Sequence, residues 1–203
     1  MSQRIGIFGG TFDPVHLGHL MLASELHHAL NLDQTLFVPA RRPPHKDARE
    51  ISDDGDRLAM VRLAIADDAR FRVSNIEIDR VGSSYSADTV EQLAHAFSDA
   101  TLVFLMGADS LRDLPTWHEP ERIIECALIG VAGRPGVEID VSRIILALPN
   151  AKDRIFIVPT PQIDISSSDI RARASNSRPI AYHVPTVVEA YIRAKRLYAA
   201  PDS

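Results

Sequence analysis

One cysteine, Cys126, stands among 203 residues, so no intrachain disulfide braces this chain. A lone thiol suits a reducing compartment, and in Ile-Ile-Glu-Cys-Ala-Leu-Ile it reads as a small buried hydrophobe. Long apolar runs are missing. None approaches the length that crosses a bilayer and no signal peptide opens the sequence, so a cytoplasmic setting is expected. Surplus positive charge is missing too. Twenty-two Lys and Arg against 27 Asp and Glu leave a net charge of -5. That balance argues against broad binding to nucleic acid or to an anionic membrane, while leaving room for a local basic site. Repeats, low-complexity tracts and composition shifts are also absent. The length suits one well-cored domain and is short for two, so a single domain over 1–203 is expected.

What is present is alternation. Short apolar runs at Arg4–Phe8, Thr35–Pro39, Phe71–Ile78, Leu102–Met106, Ala127–Ala132 and Ile155–Pro159 read as strands. Between and after them, helical spacing falls near 18–30, 55–68, 87–97, 119–125, 140–147, 168–175 and 185–197. Strands alternating with helices predict an α/β fold, a doubly wound parallel sheet covered on both faces.

Three loops at carboxyl strand ends break this rhythm. The first is GGTFDPVHLGHL, Gly9–Leu20, between strand one and a helix that begins near Gly18. Gly9 and Gly10 allow close approach to backbone N–H groups, and a helix N-terminus favours an anion. His16 and His19, three apart, share one helix face. The stretch has neither a G-x-G-x-x-G nor a P-loop pattern, and a zinc site would need further Cys or His that are not apparent, so no protein metal site is expected. The second loop, Arg41-Arg42-Pro43-Pro44-His45-Lys46-Asp47, is stiffened by paired prolines. The third runs Gly82-Ser83-Ser84-Tyr85-Ser86-Ala87-Asp88-Thr89. Loops converging on the carboxyl edge of such a sheet describe a ligand cleft. Ser166-Ser167-Ser168-Asp169 is an ordinary helix start, yet with Arg171 a turn later it also suits a polyphosphate. Asp109 either caps a short helix or accepts from ribose hydroxyls. Arg134 either flanks a nucleotide or lies on the surface.

Taken together, these motifs resemble a known family. Thr11-Phe12-Asp13-Pro14-Val15-His16-Leu17-Gly18-His19 is similar to the T/HxGH signature of the adenylyltransferase branch of nucleotidyltransferases. GGTFDPVHLGHL matches the bacterial nicotinate-nucleotide adenylyltransferase family within it. Pro43-Pro44-His45-Lys46 resembles that family's PPHK loop and Ser84–Thr89 its SYTxDT, with Ser86 in place of the usual threonine. Gly107-Ala108-Asp109-Ser110-Leu111 with Trp117, and Ile165–Arg171, resemble its GxDS…W and ISSTxIR elements.

The resemblance implies a Rossmann-like nucleotidyltransferase fold and adenylyl transfer from ATP to nicotinate mononucleotide, with Mg²⁺ bridging ATP phosphates. It implies catalytic roles for His16, His19 and Arg171. ATP contacts fall to Gly9, Gly10, Thr11, His16, His19, Gly107, Asp109, Arg134, Ser167, Ser168 and Arg171. Lys46, Tyr85, Ser86, Ala87 and Trp117 are left for the acceptor. The expected partners are these small molecules, and association with further copies of the chain stays open. A pantetheine-phosphate adenylyltransferase would share the histidine and serine motifs without PPHK, SYSADT and Trp117. A class I aminoacyl-tRNA synthetase would need a tRNA-binding domain, and a non-catalytic nucleotide sensor would not need His16, His19 and Arg171.

Overall fold

Both faces of the sheet are covered by helices, because its strands are apolar on both sides. A computed structural model describes residues 2–41, 51–133, 136 and 139–199. Its strands are β1 (Arg4–Gly10), β2 (Gln34–Pro39), β3 (Phe71–Val73), β4 (Thr101–Gly107), β5 (Leu128–Gly133) and β6 (Ile155–Pro159). The helices are α1 (Leu17–Ala29), α2 (Asp54–Ile65), α3 (Ser86–Ala96), α4 (Ala108–Asp113), α5 (Pro120–Cys126), α6 (Ser142–Ala147), α7 (Ser167–Ser175) and α8 (Thr186–Lys195).

All strand pairs are parallel, in the order β3-β2-β1-β4-β5-β6. The chain winds outward from β1 to β3, then returns to pair β4 with β1 and winds the other way. Adjacent connections therefore diverge above the carboxyl ends of β1 and β4, which opens a crevice there. Gly9 and Gly10 end β1 beside Val38 and Pro39 of β2, and Gly107 ends β4 beside Ala132.

Strand side chains alternate between two cores. Ile5, Ile7, Phe104, Met106 and Ile129 pack with Val90 and Leu93 of α3 and Ile123 and Ile124 of α5. Phe8, Phe37, Val103 and Leu105 pack with Leu26 of α1, Met60 and Val61 of α2, and Val188 and Ile192 of α8. Burying one such aliphatic or aromatic side chain contributes roughly 1.5–3 kcal/mol. Helix α1 lies so close to the sheet that a Cβ on Gly130 would sit 2.5 Å from Leu30 Cδ1.

Three expectations need correction. The third strand ends at Val73, not Ile78. Ser74 N–H donates to the Phe37 carbonyl at 2.9 Å, after which Asp79 N–H closes a turn on the Asn75 carbonyl. The apolar Ile76 and Ile78 imitate strand alternation without joining the ladder. The short helix that Asp109 was expected to cap is α4, but it starts at Ala108 with Gly107 as its N-cap, so Asp109 lies in its first turn and makes no cap bond. The 3-10 turn at Leu114–Thr116 was not anticipated, since a three-residue element is too short to show a period. Helix α2 stops at Ile65, three residues short of the expected end.

Candidate active site

His16 has an extended backbone, φ -141° and ψ 170°, and is the N-cap of α1. Its Nδ1 accepts the His19 N–H at 3.3 Å, and His19 Nδ1 accepts the His16 N–H at 3.2 Å. This is a reciprocal capping box, with two imidazoles replacing the usual hydroxyl and carboxyl. The rings stack at 3.6 Å between centroids, 22° from parallel. Both bonds require Nδ1 to carry no proton, so each neutral ring holds its proton on Nε2. Only 6% of His16 is exposed, and burial pulls its pKa down to about 4. Phe12 and Phe8 meet the His19 ring in edge-to-face fashion, with 5.1 and 6.1 Å between ring centroids.

The loop before α1 is pinned from several directions. Phe12 is buried with φ +50°, a left-handed conformation that a phenylalanine adopts only when packing over-determines it. Its ring presses on Gly10, where a Cβ would stand 2.8 Å from Phe12 Cζ. The Asp13-Pro14 peptide is cis. Buried Asp13 accepts the Tyr198 hydroxyl at 2.7 Å and the Ser52 N–H at 3.2 Å. From α7, Ser167 Oγ donates to the Pro14 carbonyl at 3.0 Å and Arg171 Nη1 to the Asp13 carbonyl at 2.8 Å. Arg57 of α2, fully buried, donates to the carbonyls of Thr11 at 2.8 Å, Ser52 at 3.1 Å and Arg41 at 3.4 Å, and pairs with Asp54. One guanidinium thus ties together chain segments that leave β1 and β2.

Above the sheet lies a cleft of about 770 Å³. One wall holds Gly9, Gly10, Thr11 and His19; the other holds Ser84, Tyr85, Ser86, Gly107, Trp117 and His118. Trp117 is held edge-on by Phe104, at 6.1 Å and 88°. Tyr85 and His118 approach each other across the second wall, 4.1 Å between ring centroids. Glu77, 6% exposed, also lines the cleft. Burial raises the pKa of its carboxyl, against a downward pull from bonds to Thr89 and Ser84 and from the charges of Arg80 and Arg57.

The structure gathers Gly9, Gly10, Thr11, His19, Tyr85, Ser86, Gly107 and Trp117 onto this cleft. His16 sits behind His19. Ser167 and Arg171 abut the opening loop. Ala87 is buried in the core, so its backbone is what it can offer a ligand. Ser168 and Asp109 are exposed and line no part of the cleft; Asp109 pairs with Arg112 at 3.2 Å. Lys46 and Arg134 lie outside the described residues. Sequence reasoning missed Asp13 as more than a turn residue, and it missed Arg57, Glu77, His118 and Tyr198. Glu77 lay inside the expected strand Phe71–Ile78 and was not singled out, and nothing local marks a buried arginine in a helix. Among the described residues no group of three or more His, Cys, Asp or Glu could hold a metal ion. The buried carboxylates of Asp13 and Glu77 are engaged by hydroxyl and N–H groups. A divalent cation at this cleft would therefore need donors beyond these two carboxylates.

A parallel sheet wound in this order, with a glycine–histidine loop and a helix N-terminus at its point of reversal, defines a Rossmann-like nucleotidyltransferase. The Cytidylyltransferase-like family model matches residues 7–173. Two proteins bearing the name "Probable nicotinate-nucleotide adenylyltransferase" are similar along their whole length. The one from Thermomicrobium roseum is 52% identical over 201 residues, 99% of this chain and 94% of that protein. The one from a Roseiflexus species is 46% identical over 197 residues, 97% of this chain and 98% of that protein. The chain belongs to the cytidylyltransferase-like family and, within it, to the nicotinate-nucleotide adenylyltransferases. Its fold is shared with a Plasmodium falciparum nicotinic acid mononucleotide adenylyltransferase solved in complex with NaAD. That match has a TM-score of 0.79 at 20% identity and covers 97% of each chain.

Proposed function

We propose that the protein transfers the adenylyl group of ATP to nicotinate mononucleotide, giving nicotinate adenine dinucleotide and pyrophosphate. The observation that carries this is the two-walled cleft: an anion-suited loop around His19 faces an aromatic, N–H-rich wall around Tyr85, Ser86 and Trp117. Full-length similarity to proteins named for this activity supports the same reading.

The attacking atom is already a phosphate oxygen, so the chain needs no nucleophile of its own. Its task is to align two anionic substrates and to stabilise charge as pyrophosphate leaves. We assign the His19 Nε2–H to the reacting α-phosphate, with Gly9, Gly10 and Thr11 offering close backbone approach and His16 fixing the ring of His19. Arg171 and Ser167 are assigned to the departing phosphates. Ser168 and Asp109 begin α7 and α4 on the same edge and are assigned to the phosphates and ribose. Mg²⁺ travelling with ATP would offset phosphate charge. On the other wall, Trp117 stacks the pyridine ring. Helix α3 starts at Tyr85 without a side-chain cap bond, so the N–H groups at Ser86 and Ala87, with the Ser86 hydroxyl, suit a carboxylate.

The test is pyrophosphate release with a panel of acceptor nucleotides. Nicotinate mononucleotide is expected to exceed nicotinamide mononucleotide by roughly ten- to a hundredfold in kcat/KM, because the amide leaves donors facing donors. Release with phosphopantetheine, or with none of the panel, would reject the assignment.

A further inference from the structure

Glu77 is a carboxyl buried where burial is costly, in a turn outside any strand or helix, and the reaction as derived leaves it without a task. Its partners explain why it is there. Oε1 accepts the Thr89 hydroxyl at 2.7 Å, and the Ser84 hydroxyl also bonds its side chain. Thr89 Oγ1 in turn accepts from Arg80 Nη2 at 2.8 Å and lies 3.2 Å from the Tyr85 carbonyl. Ser84 Oγ accepts the Arg41 N–H at 3.0 Å. Ser84 and Thr89 bracket the four residues Tyr85–Asp88, which include every acceptor-facing group assigned to the start of α3. That helix start lacks a side-chain cap of its own, so beyond the Thr89 N–H bond to the Tyr85 carbonyl and the Asp88–Arg122 pair it is held through the side chains that bracket it.

We infer that Glu77 is a positioning residue for acceptor selectivity: by holding Ser84 and Thr89 it clamps the Tyr85–Asp88 turn from below. This rests on the adenylyl-transfer reading and adds to it a determinant that need not touch either substrate. A carboxyl accepts from two hydroxyls at once, which is the reason an acidic side chain occupies a site that an apolar one would fill at lower cost. Because the clamp acts on one wall, its loss weakens recognition of the acceptor ring substituent and leaves the ATP wall as it was.

The experiment compares the wild-type protein with Glu77→Ala, Glu77→Gln, Thr89→Val and Thr89→Ser. It measures kcat/KM for nicotinate and nicotinamide mononucleotides, KM for ATP, and Tm. In Glu77→Ala and Thr89→Val the ratio of the two acceptors is expected to narrow about tenfold, through a higher KM for the nicotinate form, with KM for ATP within about twofold. Glu77→Gln and Thr89→Ser, which keep an acceptor and a hydroxyl respectively, restore most of the ratio. Thr89→Val keeps the side chain's shape and decides the matter should Glu77→Ala not fold. An unchanged ratio in the folded variants, with full activity or with equal loss on both acceptors, overturns the clamp alone. A wild-type protein that adenylylates neither nucleotide overturns the functional reading and the clamp together.

Discussion

His16 and His19 cap each other: the Nδ1 of each accepts the other's backbone N–H, at 3.3 and 3.2 Å, with the rings stacked between. The same two side chains therefore start helix α1 and orient a donor toward the cleft. In the proposed mechanism chemistry and local folding share one pair of residues, so their separate contributions must be read with different measurements.

His19→Ala is expected to lower kcat by about 10²–10³, the usual effect of removing one charge-stabilising donor. It also removes half of the capping box, at a cost of about 1 kcal/mol in stability. Pyrophosphate release and urea unfolding on the same preparation separate the two. Near-normal turnover in a folded variant would remove His19 from the chemistry.

Stability is expected to decline as pH falls from 6.5 towards 4, in part through His16. Burial keeps its imidazole neutral in the folded protein down to about pH 4, while the unfolded chain takes up a proton from about pH 6.5. Between these values the unfolded state binds more protons, so acid favours unfolding. The contribution reaches roughly 2–3 kcal/mol by pH 4.5. His16→Asn keeps a capping side chain but cannot titrate. Urea unfolding at pH 7, 5.5 and 4.5 is expected to show a gap between wild type and variant that shrinks with acid; a constant gap would count against the shifted imidazole.

Arg171→Ala is expected to impair use of ATP more than use of the acceptor. In the structure its guanidinium grips the Asp13 carbonyl and lies 4.0 Å from that residue's carboxylate, at the base of the histidine loop. Removing it loosens that loop and deletes the proposed phosphate contact, so KM for ATP is expected to rise while KM for the acceptor changes little. Equal effects on both substrates would place Arg171 outside the nucleotide site.

Arg57→Lys tests the knot between the loops. An ammonium cannot reach three carbonyls and Asp54 in the geometry a guanidinium provides. A loss on the order of 2–4 kcal/mol in unfolding free energy is expected, together with higher KM for both substrates. A variant as stable as wild type would show that solvent replaces those bonds.

Periodicity and motif determined much of this protein from the sequence alone. The alternation of apolar runs with helical spacing was enough for a doubly wound parallel sheet, because residues on β1, β4 and β5 are buried on both faces and show it. That Gly9-Gly10 and His19 share one cleft with Tyr85-Ser86 and Trp117 was legible because loops at the carboxyl ends of parallel strands meet on one edge and because these motifs resemble a known family's. The tertiary structure alone decided what lies under and behind them. Asp13 meets Tyr198 across 185 positions, and Arg57 of α2 reaches the Thr11 carbonyl 46 positions away. Glu77, on a tract that imitates a strand, turns inward to Ser84 and Thr89. Local pattern carries no record of such meetings, since a buried polar group is tolerated only through partners that the fold brings to it.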